Sequence, residues 1–208
     1  MFDFSLMQIV AGIPGLIIAM VIHEYAHARV AVALGDFTPR MMGRLTLNPM
    51  SHIDPIGLLC MFLVHFGWAK PVSVNPRNFK NPSRDDILVS LAGPMANFVI
   101  AFLAMTVLAI LMRAGVHLSI GAKSVLMLIM IYNINFGIFN LIPLPPLDGS
   151  HVLMQLLPRD LAYKLTELER YSFIILIVIM MTPVLGMVLI PMQRLILEIF
   201  QTILSIFL

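Results

Sequence analysis

Three stretches of this sequence, residues 87–112, 124–142 and 171–190, contain no Asp, Glu, Lys or Arg. Inside hydrocarbon a chain can satisfy its backbone N–H and C=O groups only as a helix or a closed barrel. About 20 apolar residues make a helix long enough to cross, so each stretch predicts a transmembrane helix. The remainder offers too little polar surface to cover a soluble domain, since 60% of the 208 residues are hydrophobic and 12% charged. The expected fold is an all-α polytopic membrane protein, one domain over 1–208, built as a bundle of about four to six transmembrane segments. Its first partner is the lipid bilayer. A formal charge of +2 is too small to suggest nucleic acid, and the single Cys60 excludes an internal disulfide. A basic n-region and a small-residue cleavage site are both missing from the first residues, so a removable signal peptide is not expected.

The first segment is expected from about Pro14, a favoured first-turn residue, to Leu34, where Gly35 can close the helix. Residues 36–52 contain Pro, Gly and Asn and read as an interfacial loop or short hairpin. Residues 53–68 are apolar but short for a full span, and read as a re-entrant or interfacial element. A polar, Pro-rich loop fills 69–86. The helix over 87–112 is expected to break at Gly93-Pro94, while 124–142 leads into LIPLPPLDGS, whose prolines cannot continue a regular helix. Asp148 therefore rides on a Pro-broken helix whose pattern resumes over 149–157. Residues 192–208 are apolar apart from Arg194 and Glu198, and can either cross the bilayer or lie along its interface.

Orientation follows from Lys and Arg. If 53–68 dips in and returns, Arg40, Arg44, Lys70, Arg77, Lys80 and Arg84 share one side, joined two crossings later by Arg159, Lys164 and Arg170. The opposite loop keeps Arg113 and Lys123. Positive residues mark the cytosolic face, which puts the N-terminus outside in a cell-membrane protein.

Against this background the stretch VIHEYAHARV, residues 21–30, is out of place. His23 and His27 are four apart, so a helix stands them on one face as two ligands of one metal require. Glu24 lies beside that face and can reach a water on the metal, the His-Glu-x-x-His arrangement of zinc hydrolases. His23 precedes Leu34 by 11 residues, roughly 16 Å of helix. Ionisable groups at such depth cost on the order of 2–3 kcal/mol each and by default mark a functional site. A catalytic zinc generally takes three protein ligands and keeps a place for water. Asp148 is the strongest third candidate, because backbone freed by Pro143, Pro145 and Pro146 must be buried or line a cavity. The other reading of Asp148 is a turn residue in an Asp-Gly pair. His151 shares its helical face and reads as a pore-lining or supporting residue rather than a ligand.

HEYAH, SLAGPMANF and NLIPLPPLDG together resemble the site-2 protease family of intramembrane zinc metalloproteases. The likeness is strongest to the short prokaryotic branch, which GRLTLNPMSHIDPIG and GWAKPVSVNPRNF also resemble, and it covers roughly residues 10–160. The resemblance implies one Zn2+ per chain held by His23, His27 and Asp148, with Glu24 as general base and acid. It implies hydrolysis of peptide bonds within or beside transmembrane segments of membrane protein substrates, as in regulated intramembrane proteolysis, with the active site reached from the cytosolic side. Larger family members carry a substrate-filtering PDZ domain; no polar stretch here is long enough for one, so selection by such a domain is not expected.

Two amides complete the candidate site. Asn97 follows Gly93-Pro94 in an apolar helix, and Asn140 belongs to the motif leading to Asp148. Either can pair with the backbone of an extended substrate or with its oxyanion; either can instead join helices, a common use of membrane Asn. Tyr132, Asn133 and Asn135 read as helix-joining polarity, Trp68 as an interface anchor, His52 and His65 as interfacial. The 17 methionines read as adaptable packing. A metal transporter or a membrane zinc-binding protein without proteolytic activity is the alternative function. Charge-free spans and the lack of repeated halves argue against transport, and the retained Glu24 argues against a purely structural zinc.

Overall fold

The computed structural model describes residues 6–55, 57 and 69–207. Seven helices are named here: α1 (Leu6–Ala33), α2 (Thr38–Met41), α3 (Pro82–Arg113), α4 (Ile120–Asn140), α5 (Asp148–Leu156), α6 (Arg159–Met181) and α7 (Val184–Phe207). Among the described residues there is no strand, only an isolated antiparallel bridge between Ile53 and Ala69. Four helical stretches among the described residues are long and apolar enough to cross a membrane: Val10–Ala33, Pro82–Arg113, Ile120–Asn140 and Val184–Phe207. The protein is thus an all-α polytopic membrane protein.

Several expected boundaries move. Helix α1 begins two turns before Pro14, and α3 runs unbroken through Gly93-Pro94. Proline removes one rung of the ladder, yet Gly93 and Pro94 are buried between neighbouring helices that keep the flanking turns in place. The apolar run 171–190 is not one span. Thr182 sits at φ −106, ψ 162, the extended conformation imposed on a residue before proline, and Pro183 separates α6 from α7. Residues 192–208 therefore belong, as far as Phe207, to a helix of crossing length. In 36–52 the chain makes the short α2 and a single 3-10 turn, Pro49–Ser51, rather than a hairpin. The proposed re-entrant element at 53–68 lies largely outside the described residues.

Each helix end has a local cause. Gly35 takes φ +108, open to glycine at little cost, and lets Asp36 N–H return to the Ala31 carbonyl at 2.9 Å. Pro82 opens α3, where the Asp85 carboxylate accepts from Asn81 N–H at 3.0 Å. Ser119 caps α4 by accepting from Ala122 N–H.

Helices α1, α3 and α4 pack mutually, α7 covers α4, and α5 lies on α3. Lipid gives helices no hydrophobic reason to associate, so close contact has to come from small residues and fit. A Cβ on Gly15 would meet the Leu128 carbonyl oxygen at 2.9 Å, which shows how near α1 approaches α4. Ala101, Ala104, Met130, Ile134 and Ile138 form the α3–α4 core, extended by Leu189, Ile196 and Phe200 of α7. A second cluster, Ala31, Phe79 and Val89 with Val74 against them, lies where the loop after α2 meets α1 and α3. Burial of Phe79 there contributes roughly 1.5–3 kcal/mol.

That loop ends in a strap. Lys70 N–H bonds the His52 carbonyl at 2.8 Å beside the Ile53–Ala69 bridge, and residues 71–75 form no regular element, Asn75 being extended at φ −111, ψ 100 before the 3-10 turn Pro76–Asn78. Pro71, Ser73 and Asn75 are exposed while Val72 and Val74 are half-buried, a period of two as in an extended segment.

Candidate active site

His23 and His27 project from one face of α1 toward α3, and the space they need exists because residue 93 is glycine. A Cβ there would lie 2.7 Å from His23 Nε2 and would overlap His27 Nε2. The third group arrives from α5. After the prolines of 143–146, Leu147 is extended at φ −83, ψ 154, and Asp148 is the first residue of the new helix. Gly149 packs so tightly on the end of α4 that a Cβ would collide with the Leu141 carbonyl. His23 Nε2 lies 3.0 Å from Asp148 Oδ2, His27 Nε2 lies 3.3 Å from it, and the two imidazole Nε2 atoms are 3.0 Å apart.

The other ring nitrogens decide what faces inward. His27 Nδ1 is 2.7 Å from the Val89 carbonyl, which can only accept, so Nδ1 carries the proton and Nε2 the lone pair. His23 Nδ1 is 2.7 Å from Asn97 Oδ1. The amide orientation is assigned from its other end, where Nδ2 donates to the Ala19 carbonyl and to Asn133 Oδ1, both at 2.9 Å. Both tautomers thus aim lone pairs at Asp148 Oδ2, an oxygen that is buried and accepts no hydrogen bond. Two lone pairs and a carboxylate oxygen repel unless a cation lies among them. Two imidazoles and one carboxylate are a donor set that suits zinc, and the three are the one group of metal-ligating side chains found among the described residues.

Glu24, 8% exposed, sits beside the cluster, and its Oε2 accepts from Val72 N–H of the strap at 2.9 Å. Phe136 of α4 stands edge-on against His23, with ring centroids 4.9 Å apart. On α5, one turn beyond Asp148, half-exposed His151 lies 3.8 Å from Asp86 Oδ2, which also accepts from Gln155 Nε2 at 2.9 Å. The nearby Asp86 carboxylate raises the His151 pKa against the opposing effect of burial. This pair of contacts fastens α5 to α3.

Comparison with known proteins agrees with this geometry. A profile for peptidase family M50 matches residues 109–183. The protein "Putative zinc metalloprotease YwhC" of Bacillus subtilis is 40% identical over 181 residues, covering 85% of this chain and 83% of that one. The chain belongs to peptidase family M50, the site-2 proteases. More distant relatives are "Putative zinc metalloprotease Rip2" of Mycolicibacterium smegmatis, at 28% identity over 84% of this chain and 68% of that one, and "Zinc metalloprotease MJ0392" of Methanocaldococcus jannaschii, at 24% over 71% and 34%. No solved structure matches. As an M50 member the protein is a membrane metalloprotease, and its cofactor is zinc.

Of the residues expected in the site, the fold brings together His23, Glu24, His27 and Asp148. Asn97 is fully buried, with both ends of its amide engaged by protein. Asn140 Nδ2 gives one of its two N–H groups to the Phe136 carbonyl of its own helix at 2.9 Å. Asn133 joins α4 to Asn97 of α3, the helix-joining role expected of it, while the parts taken by the Val89 carbonyl and the Val72 N–H have no local pattern that marks them. For Gly93, the Gly-Pro pair on the face that carries Asn97 was the one available signal. His52 is fully buried within the protein, its Nε2 on the Thr46 carbonyl; His65 and Trp68 are outside the described residues.

Proposed function

We propose that the protein is an intramembrane zinc endopeptidase of the His-Glu-x-x-His type, cutting peptide bonds within or next to transmembrane segments of membrane protein substrates. The observation that carries this reading is the convergence of two lone-pair nitrogens, an orphaned carboxylate oxygen and a glutamate on the buried side of helices long enough to cross a bilayer. His23, His27 and Asp148 hold the zinc. When bound, it supplies the Lewis acidity that brings the pKa of a water toward about 7 and stabilises developing negative charge.

The protein's own groups supply the rest. With Oε2 occupied by Val72 N–H, Glu24 takes the proton of the attacking water on Oε1 and later returns it to the leaving amine nitrogen. Asn97 and the Val89 carbonyl hold the imidazoles in the tautomer that presents Nε2. Asn97 is thus a positioning residue, and its engaged amide leaves no donor for substrate. Asn140, nearer the end of α4, is the better candidate to meet substrate backbone. If the four apolar helices are the crossings, Arg40, Arg44, Lys70, Arg77 and Lys80 share a side with Arg159, Lys164 and Arg170, and this positive charge makes that side cytosolic, with the site reached from there.

The test is cleavage of a panel of single-span peptides in detergent, wild type beside Glu24→Gln, with products read by mass and zinc content measured. Cuts inside the apolar segments made by wild type alone, at equal zinc, are the expected result. Equal cutting by both proteins would remove Glu24 from its role. Zinc uptake into vesicles without any cleavage would instead support a transporter.

A further inference from the structure

We infer that Asp36 is a positioning residue for the catalytic glutamate, acting at a distance through the strap 70–78 and the Val72 N–H. The inference rests on the reading of Glu24 as general base. Asp36 is completely buried, yet its hydrogen-bond donors Thr38, Asn75 and Asn78 are all neutral. Oδ1 accepts from Thr38 N–H at 3.1 Å, Thr38 Oγ1 at 2.5 Å and Asn78 Nδ2 at 2.7 Å, while Oδ2 accepts from Asn75 N–H at 2.7 Å. A buried carboxylate facing donors without a cation is costly unless each oxygen is used. Here both are. Asparagine, with a donor in place of one oxygen, cannot accept on both sides, so the site calls for an acceptor-only side chain.

What this anchor fixes is register. Asp36 is tied to the end of α1 by its own N–H on the Ala31 carbonyl at 2.9 Å, and Glu24 stands on the same helix. The strap is therefore bound to α1 twice, at Asn75 through Asp36 and at Val72 through Glu24. Two fixed points three residues apart leave the segment between them little room to slide, and a slip of one residue would replace the Val72 N–H opposite Glu24. A slip in one direction brings Pro71, which has no N–H at all. Asp36 thus selects Val72 as the donor that holds Oε2 and aims Oε1. Small misplacements of a catalytic group can lower rates by about 100-fold.

A double-mutant cycle tests this, using the full chain in detergent and one single-span peptide that wild type cuts. Asp36→Asn is expected to lower kcat about 10-fold or more, keep zinc content at the wild-type level, and speed hydrogen exchange over 70–78. Val72→Pro, which removes the N–H that Glu24 accepts together with the valine side chain, is expected to lower kcat by a similar factor. Combined, the two should do little more than either alone, because both break the same path. Fully multiplicative losses, or Asp36→Asn with wild-type kcat and unchanged exchange, would overturn the inference. Should Asp36→Asn fail to fold, Asn78→Ala removes one bond from an exposed partner, and a smaller loss that again vanishes in the Val72→Pro background is expected. If Glu24→Gln proved active, the general-base reading would fall by itself, whereas the exchange result for Asp36 would still report on the anchor.

Discussion

His23 Nδ1 and Asn97 Oδ1 stand 2.7 Å apart across a sequence separation of 74 residues, and the orientation of that amide is fixed by two acceptors behind it. The His23 nitrogen that faces Asp148 is thus set from one helix by a side chain of a second, itself held by Asn133 of a third.

Replacing Asn97 by Leu should therefore weaken zinc binding about 10–100-fold, the range found when groups behind metal-bound histidines are removed. Asn97→Asp retains an acceptor for His23 N–H and should lose less. Competition with a chelator of known affinity measures both.

Gly93→Ala should be far more damaging than an alanine in a helix ordinarily is. The added methyl falls on two imidazole rings that cannot move without leaving the site. We expect loss of zinc and a destabilisation of about 1–3 kcal/mol. Metal content together with thermal unfolding in detergent would show it; wild-type zinc content would contradict the packing described.

The contact of Gln155 with Asp86 holds the helix that begins at Asp148. Gln155→Leu should lower zinc affinity by less than Asp148→Asn does and leave the oligomeric profile on gel filtration unchanged. An affinity equal to wild type would mean that the chain after Asn140 places Asp148 unaided.

Acid should loosen the strap. Burial by itself would raise the Asp36 pKa, but hydrogen bonds from Thr38, Asn75 and Asn78 outweigh it and hold it below the ordinary 3.8. A depressed folded pKa means that the unfolded state binds more protons, so this stabilisation is fully present above about pH 4 and is lost as pH falls through the folded value. Hydrogen exchange over 70–78, corrected for its intrinsic pH dependence, should accelerate only below about pH 4 in wild type. In Asp36→Asn it should be fast throughout, without that step.

Much was legible before any coordinates. Charge-free runs identify spans because hydrocarbon tolerates little else, and four-residue spacing puts His23 and His27 on one face whatever surrounds them. The apolar run 171–190 misled because hydropathy is blind to Pro183, which divides it between α6 and α7. Gly93-Pro94 misled in the opposite direction. Packing from neighbouring helices keeps α3 continuous where an isolated helix would break.

What the sequence by itself determined is the membrane-spanning, all-helical class and the ligand types available at depth, both being local consequences of side-chain chemistry. Only the tertiary structure decided which nitrogen of each histidine faces Asp148, that Asn97 is engaged by His23, and that a backbone N–H from residue 72 meets Glu24. Those outcomes depend on hydrogen bonds between atoms 48 to 78 residues apart. No local pattern encodes such pairings, because each exists only once separate helices and the strap are packed together.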